Sequence, residues 1–474
     1  MKTPLLLINL YLGLLVLAHS SLLAQPTTPG FSSDNVPLYG AFELTVTNNK
    51  SYSNKFDYTV IELQGKFTSP SGKVINNVYG FYDGDGKGGQ NGNVWRLRFM
   101  PTERGTWTYS YTWTDGTSGG SGSFSCVASD YRGPLQIDTK KPWYFKTMDG
   151  QPFHAKGYDL HQIGPMGVEW GPSKQPAPVY EAVDWSDDID DAHYAAMDEY
   201  MVPKGYNLTM LGSANNENYP PTYWVNDNAK VFNVAVWKVT ENIYIHARER
   251  GIYCFQFDGL IRITPCQRDG NNCETLNRWN KQIVRYNVAR LSSIYSHTGY
   301  NPTRENFKLP RQGYSKAEMN SLMEFCKSSI PSNYGALLTI HDNMYSEFSG
   351  WQDYVIRQHP SQHLEGNSKD SQKGNNNDRG VDIDASYAPY NFPVIGAEDV
   401  WEGLTQNGVE QCIRPLWGQM MAGVIPLYSE WNRWIDVQGT GVAEEPYSRG
   451  MDWWFANVDY RNPKWKKLND LVTS

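Results

Sequence analysis

Hydrophobic and polar residues alternate in several short runs of the N-terminal third of the chain. Phe42–Thr47, Trp95–Phe99 and Trp107–Trp113 alternate with a period of two, and Asp57–Leu63 is rich in β-branched and aromatic residues. Glycine-rich turns separate these runs, and no helical pattern lies between them. Short alternating strands between turn residues are typical of two packed antiparallel sheets. The pattern therefore predicts an antiparallel β-sandwich over residues 36–130.

After residue 140, strand-like runs alternate with helix-like ones, such as Trp237–Arg250 and Lys316–Ser329. The predicted strands are Phe153–Asp159, Tyr206–Leu211, Gly251–Phe257, Ala336–Ile340, Asp353–Arg357, Phe392–Ala397 and Gly423–Tyr428. No Gly-x-Gly-x-x-Gly motif follows an early strand, so a dinucleotide-binding fold has no support. Strands and helices that alternate over this length predict a parallel sheet and favour a TIM (β/α)8 barrel over residues 140–474.

The fourth barrel strand is the exception to this pattern. The amphipathic helix-like run Ile283–Leu291 is followed by Ser292–Glu305, which has little apolar strand character and contains glycine and proline. Two interpretations stay open at this point. The fourth strand is very short, at Ser293–Ser296, or a piece of the chain is missing here.

The first residues have the pattern of a secretory signal peptide. Lys2 provides the positive start, Leu5–Leu17 is the apolar core, and small residues end at Ala18 or Ala24. The apolar run is short for a membrane anchor and is soon followed by polar residues. We expect residues 1–24 to be removed and the protein to be secreted into the extracellular space.

Composition and charge exclude several classes of partner. The formal net charge of -8 argues against nucleic acid, because phosphate binding needs a basic surface. No later stretch approaches membrane-spanning length, so we expect no membrane partner. The six cysteines lack the spacing of metal ligands, and we expect neither a metal nor an organic cofactor.

The Asp83–Gly86 run has two interpretations, a calcium-binding loop or a hairpin loop. It lacks the glutamate at the twelfth position that an EF-hand loop requires, which favours the hairpin loop. Asp83 and Asp85 would then support the backbone of the turn, and neither is expected to matter for activity.

Polar and aromatic side chains follow the predicted strands where the chain leaves the sheet. Glu398 follows Phe392–Ala397, with Trp401 and Glu402 just behind it. The other candidates are Asp159, His161, Asn215, Asp258, His341, Asp342 and Trp431. Catalytic groups of barrel enzymes lie at the C-terminal ends of strands, and carboxylates, amides and aromatic rings suit sugar hydroxyls and sugar faces. These residues predict a binding rim for a polysaccharide or oligosaccharide, although Glu398 alone could equally be a solvated residue that opens a loop.

Several segments also resemble a known family. Val78–Gly86 and Val94–Tyr109 resemble an uncharacterised β-sandwich domain found at the N-terminus of polysaccharide-degrading enzymes. Phe145–Phe153, Tyr286–Arg290, Glu398 and Glu402–Gly403 are similar to apiosidase-like glycoside hydrolases with a (β/α)-barrel. The resemblance covers nearly the whole chain after residue 24.

This resemblance implies a two-carboxylate glycoside hydrolase that acts on a plant- or algal-type glycan. In retaining barrel glycosidases of this kind the nucleophile ends strand seven, which corresponds to Glu398, and the acid/base ends strand four. Glu305 is the nearest carboxylate to the expected acid/base position, with Asp258 and Glu430 in reserve. The alternative is a catalytically inactive carbohydrate-binding barrel that lacks the strand-four acid.

Overall fold

A computed structural model describes most of the chain in separate stretches. They are residues 30–160, 193–212, 223–225, 230–257, 259–260, 273–302, 316–340, 350–357, 392–397, 401–402, 420, 423–430 and 444–461. Among these residues, no helix is both long enough and apolar enough to cross a membrane.

Seven strands form the N-terminal sheet. They are β1 (Asn35–Pro37), β2 (Phe42–Thr47), β3 (Leu63–Thr68), β4 (Val74–Tyr82), β5 (Val94–Phe99), β6 (Gly105–Trp113) and β7 (Gly120–Val127). The order across the sheet is β1-β7-β6-β3-β4-β5-β2. All pairings are antiparallel except β1 with β7, which is parallel. The prediction of a wholly antiparallel arrangement was therefore wrong for β1.

The N-terminal sheet folds over on itself at β4. The first part of β4 pairs with β3 and its last three residues pair with β5, so the two halves of the sheet face each other. Phe42 of β2 stacks on Phe124 of β7 with ring centroids 4.5 Å apart, although several strands separate them along the sheet. Alternation explains this core: in β3 Leu63, Gly65 and Phe67 point inward and the residues between them are exposed. The predicted strand at Asp57–Leu63 was wrong, because the strand begins at Leu63.

A parallel sheet follows in the chain. Its strands are β10 (Gly157–Tyr158), β11 (Leu208–Leu211), β12 (Tyr253–Gln256), β13 (His297–Tyr300), β14 (Leu337–Leu338), β15 (Val355–Arg357), β16 (Val394–Gly396), β17 (Trp401–Glu402) and β18 (Ile425–Glu430). The helices described beside it are a π-helical turn (Ala196–Met201), α1 (Val234–Glu249), α2 (Cys273–Leu291), α3 (Lys316–Ser329) and α4 (Glu444–Asn457). All described residues of β11, β12 and β13 are buried, as expected for a parallel sheet covered on both faces.

The parallel sheet curls until its two ends nearly meet. Its strand order is β14-β13-β12-β11-β10-β18-β16-β15, with β17 beside β18. The end strands approach each other where the Asp353 amide donates to the Leu338 carbonyl at 2.9 Å and the Thr339 hydroxyl donates to the Tyr354 carbonyl at 2.7 Å. The predicted succession of parallel strands is confirmed, and the first and eighth strands (β10 and β18) pair directly.

The fourth strand is present, but not where the sequence suggested. It is β13 (His297–Tyr300), which pairs with β12 on one side and β14 on the other, so neither Ser293–Ser296 nor a missing strand is correct. The strand is hard to recognise because glycine is required inside it. A Cβ atom at Gly299 would lie 2.0 Å from Cδ1 of Phe255 on the neighbouring strand. The close approach of two strands thus replaces the apolar pattern expected there.

A hairpin of β8 (Leu135–Ile137) and β9 (Phe145–Thr147) covers the end of the parallel sheet where its strands begin. The Leu135 amide donates to the Thr298 hydroxyl at 2.9 Å, and the ring of Phe145 lies 5.7 Å from that of Phe255. This hairpin leaves the opposite edge, where the strands end, as the edge available for a functional site.

Candidate active site at the C-terminal edge of the parallel sheet

Asp159 lies at this edge directly after β10. The residue is buried, and its amide donates to the Tyr428 carbonyl of β18 at 2.9 Å. This bond holds the end of the first strand against the eighth. The predicted position of Asp159 at the end of the first strand is therefore confirmed, and its sugar-binding role stays a prediction.

The pairing with β18 changes register between β16 and β17. Gly396 of β16 pairs with Pro426 of β18, and further along Trp401 of β17 pairs with Ser429. Between these pairings the chain advances five residues, 396 to 401, on one side and three residues, 426 to 429, on the other. Two residues are thus additional on the seventh-strand side, and Glu398 belongs to this interval in the sequence. Additional residues of this kind are common beside active sites because they redirect a side chain.

Most of the predicted site residues lie outside the described residues, and their positions stay predictions. They are Glu398, Glu305, His161, Asn215, Asp258, His341, Asp342 and Trp431. Trp401 and Glu402 are described as the two residues of β17, which pairs with the end of β18. That pairing puts both residues at the C-terminal edge, as the sequence predicted. Glu430, a reserve candidate for the acid/base, is the last residue of β18 and pairs with Glu402.

Two buried amide side chains, which no sequence pattern had indicated, hold the exit of the fourth strand. Oε1 of Gln256, the last residue of β12, accepts a hydrogen bond from the backbone amide of Asn301 at 3.3 Å. Nε2 of Gln256 donates to Oδ1 of Asn287 on α2 at 3.1 Å. Gln256, Asn287 and Asn301 are all buried. This amide bridge fixes the point from which the chain continues toward Glu305.

A second buried network joins the N-terminal sheet to α1 and α2, and we call it the charge cluster. It consists of Glu43, Asp83, Arg96 and Arg98 from the N-terminal sheet and its β4–β5 loop, and Lys238, Glu241 and Arg290 from the two helices. Glu241 contacts Arg98 at 2.7 Å, Arg290 at 2.8 Å and Lys238 at 2.6 Å. Burial alone would raise the pKa of Glu241, but these three cations outweigh it and hold the pKa well below its ordinary value.

The charge cluster corrects the expectation for Asp83. This carboxylate is buried and contacts Arg96 at 2.5 Å and Arg290 at 2.8 Å, so it joins the β4–β5 loop to α2. Asp85 behaves as expected for a turn residue, because its Oδ1 accepts from the backbone amides of Lys87 and Gly89. Only Asp85 therefore has the backbone role that the sequence suggested for both.

The charge cluster and the amide bridge meet on α2. Arg290 and Asn287 lie one turn apart on this helix, and the Arg290 carbonyl accepts from Arg98 at 2.8 Å. The Tyr286 hydroxyl donates to the Tyr82 carbonyl of the N-terminal sheet at 2.8 Å. The helix that leads into the fourth strand is thus held by the N-terminal sheet on one side and by Gln256 on the other. Within the described part of the chain, no group of three or more His, Cys, Asp or Glu side chains could hold a metal ion.

Comparisons with known proteins agree with this architecture. The family model that matches is a domain of unknown function, DUF5060, at residues 35–114, which corresponds to most of the N-terminal sheet. No curated protein matches the chain. A "putative glycoside hydrolase" from Bacteroides vulgatus has a similar structure with a TM-score of 0.61 and 18% identity, over 84% of this chain and 72% of that one.

Two further solved structures are similar at lower scores. An exo-β-1,4-mannosidase from Opitutaceae bacterium has a TM-score of 0.46 and 12% identity over 68% of this chain and 62% of that one. A xyloglucanase of glycoside hydrolase family 5 from Bacteroides ovatus has a TM-score of 0.42 and 9% identity over 88% of this chain and 98% of that one. Neither similarity supports a conclusion about this chain, because both TM-scores are below 0.5. The similarity to the Bacteroides vulgatus structure shows that this chain shares its fold.

Proposed function

We propose that this protein is a glycoside hydrolase that cleaves O-glycosidic bonds of a plant- or algal-type polysaccharide or oligosaccharide. The observation that carries the proposal is the place of Glu398 in the chain. It is the second residue after β16, the seventh strand of a curled parallel sheet, in an interval with two additional residues. Carboxylates that follow barrel strands are the groups that perform glycoside hydrolysis.

The proposed mechanism uses two carboxylates. In a retaining reaction Glu398 attacks the anomeric carbon while Glu305 protonates the departing oxygen, and a water deprotonated by Glu305 then hydrolyses the glycosyl-enzyme and frees Glu398. In an inverting reaction Glu398 instead takes the proton from the water that attacks the anomeric carbon. Glu305 is the fifth residue after Tyr300, the end of the fourth strand, so the chain needs only a short excursion to bring it to the edge. Retention requires the two carboxyl groups to be about 5–5.5 Å apart, and inversion about 6.5–9.5 Å.

The proposal includes a domain organisation and a location. Residues 36–130 form a β-sandwich domain, residues 140–474 a TIM (β/α)8 barrel, and residues 1–24 a signal peptide, so that the enzyme is secreted. The resemblance to apiosidase-like enzymes supports this assignment, as does the direct pairing of the first and eighth strands. The partner is a glycan, with neither nucleic acid nor membrane involved.

The test is a screen of the purified protein against pectic, hemicellulosic and algal glycans for release of reducing sugar. Glu398→Gln is the matched control, because it removes the charge and keeps the shape of the side chain. We expect at least one glycan to be cleaved by the unmodified protein and left intact by the variant.

A second candidate function is a catalytically inactive carbohydrate-binding barrel. The observation in its favour is the fourth strand itself, since neither His297–Tyr300 nor Asn301 is a carboxylate. Glycan binding without release of reducing sugar from any substrate in the screen would favour this candidate.

A further inference from the structure

Two tyrosines of β6 form an open aromatic surface on the N-terminal sheet, and we call it the tyrosine strip. Tyr109 and Tyr111 are two residues apart in one strand, so their side chains lie on the same face of the sheet, about 6.5–7 Å apart. Both are only partly buried, whereas Trp107 and Trp113, on the same face toward the two ends of β6, are buried. This face is therefore accessible to solvent at its middle.

The two rings of the tyrosine strip lie over β7, where glycine leaves room for them. Tyr109 pairs with Gly122, and Tyr111 pairs with Gly120. A Cβ atom at Gly122 would lie 2.5 Å from Oη of Tyr109, and one at Gly120 would lie 2.8 Å from Cε1 of Tyr111. The ring of Tyr109 also lies 5.1 Å from that of Phe42 in the core. The rings are thus held in place before any ligand arrives, which lowers the entropy cost of binding.

The two phenol hydroxyl groups of the strip are unused within the described part of the chain. Neither donates nor accepts a hydrogen bond there, and both reach solvent. By contrast, Tyr52 of the same domain donates to Oδ2 of Asp115 at 2.7 Å, and Tyr82 donates to the Gly92 carbonyl at 3.0 Å. Packing on glycine stabilises a strand through the aromatic ring alone, and phenylalanine would serve as well. The hydroxyl groups are therefore available to a ligand with an apolar face and polar edges.

Charge restricts the class of ligand. Strands β6 and β7 contain no Asp, Glu, Lys, Arg or His residue. Asp115 lies in the turn after β6, but Lys50 contacts it at 2.9 Å and offsets its charge. Strand β2 packs on this face through Phe42, and its one carboxylate, Glu43, is directed into the charge cluster instead. The tyrosine strip therefore favours a neutral ligand over a polyanion or a polycation.

A neutral glycan has the chemistry that this surface fits. Sugar rings present an apolar C–H face to aromatic rings and carry hydroxyl groups at their edges. Two aromatic rings in a row along one strand suit consecutive units of a glycan chain. The strip belongs to the half of the folded sheet opposite β5, whose Arg98 contacts Glu241 of α1. A glycan bound there would therefore lie on the side of the domain that faces away from the helices.

We propose that the tyrosine strip is an accessory site that binds two or more consecutive units of a neutral polysaccharide. The choice of a glycan rests on the proposed function, and the site itself rests on Tyr109, Tyr111 and the two glycines of β7. The N-terminal domain would then keep the enzyme on a long substrate and would take no part in bond cleavage.

The experiment measures binding by the full chain with Glu398→Gln, so that no probe is consumed. The probes are xyloglucan, galactomannan and mixed-linkage β-glucan as neutral chains, and polygalacturonate and alginate as anionic chains. Affinity electrophoresis gives each dissociation constant, and we expect at least one neutral chain to bind. Tyr109→Ala together with Tyr111→Ala should weaken this binding at least about fivefold, because both stacking rings are lost. Trp453→Ala is the matched control, because it removes an indole of α4 that is 59% exposed, and it should leave the binding unchanged.

A second double variant, Tyr109→Phe with Tyr111→Phe, separates ligand binding from packing. It keeps both rings on the glycines of β7 and removes only the hydroxyl groups, so it should fold even if the alanine variant does not. Because the hydroxyl groups have no partner among the described residues, their loss should leave the unfolding midpoint in urea unchanged. It should still weaken glycan binding at least about twofold.

Three results would overturn the proposal. They are the absence of binding by every neutral chain, equal dissociation constants for the parent and both tyrosine variants, and a loss confined to the anionic chains. Release of reducing sugar by the unmodified protein is a separate measurement. Binding that depends on the tyrosines without any release would refute the proposed hydrolase function and leave the accessory site standing, so the two failures are distinguishable.

Discussion

Replacing Glu241 with glutamine should strongly destabilise the protein. Glu241 is fully buried and contacts Arg98, Arg290 and Lys238 at 2.6–2.8 Å. The change keeps the shape of the side chain but leaves three cations around a neutral amide. Removing one partner from a buried ion pair costs about 3–5 kcal/mol. We therefore expect the free energy of unfolding to fall by that amount, a large share of the roughly 5–15 kcal/mol typical of a protein.

The assay is equilibrium unfolding in urea, followed by tryptophan fluorescence and circular dichroism at pH 7. The matched control is Glu445→Gln on α4, where the partner Arg449 is 3.4 Å away and both side chains are mostly exposed. That change should cost no more than about 0.5 kcal/mol. If Glu241→Gln lowers the free energy of unfolding no more than the control does, the view that the charge cluster joins the N-terminal sheet to the helices is refuted.

The pH dependence of this difference follows from the direction of the pKa shift. The pKa of Glu241 is lowered in the folded state, so the stabilisation from its charge is complete above its unfolded pKa. The stabilisation declines once the pH falls below the unfolded pKa and is gone below the lower, folded value. The difference between Glu241→Gln and the unmodified protein should thus be constant from pH 7 to pH 5 and shrink in stronger acid.

Two further predictions concern single side chains. Asp83→Asn should lower the free energy of unfolding by about 3 kcal/mol, because it removes a buried anion between two arginines. Asp85→Asn keeps the Oδ1 acceptor and should lower the free energy of unfolding by less than about 1 kcal/mol. Equal losses for the two variants in urea unfolding would contradict this prediction. Gly299→Ala should cost at least about 1–3 kcal/mol because its Cβ would collide with Phe255, and a variant with unchanged thermal stability would show that the fourth strand is not packed in this way.

The sequence predicted strands and helices well where the hydrophobic pattern alone determines them. Phe42–Thr47 coincides with β2, and Lys316–Ser329 coincides with α3. It failed at His297–Tyr300, because burial of this strand depends on Gly299 and on the approach of Phe255, which no local pattern reveals. Asp83 was misjudged for a related reason. Gly84 and Gly86 just after it indicate a turn, while its partner Arg290 is more than two hundred residues away in the chain.

The candidate site was predictable only in part. Strand order follows from the alternation of strands and helices. The position of Asp159, Trp401 and Glu402 at the C-terminal edge of the parallel sheet could therefore be expected. The amide bridge of Gln256, Asn287 and Asn301 could not, because its members come from three separate elements and none has a distinctive sequence context. A buried glutamine at the end of a predicted strand is the only local signal that could have drawn attention to it.

Comparison of turnover by the unmodified protein and by Glu398→Gln tests the central claim most directly. Both proteins would be assayed on the glycan that releases most reducing sugar in the screen, with Glu445→Gln as the control for an exposed glutamate. We predict a fall in kcat of at least about 10³-fold for Glu398→Gln, with the same unfolding midpoint as the parent, because the lost group acts in the chemical step. Near-normal turnover by a folded Glu398→Gln protein would contradict the account.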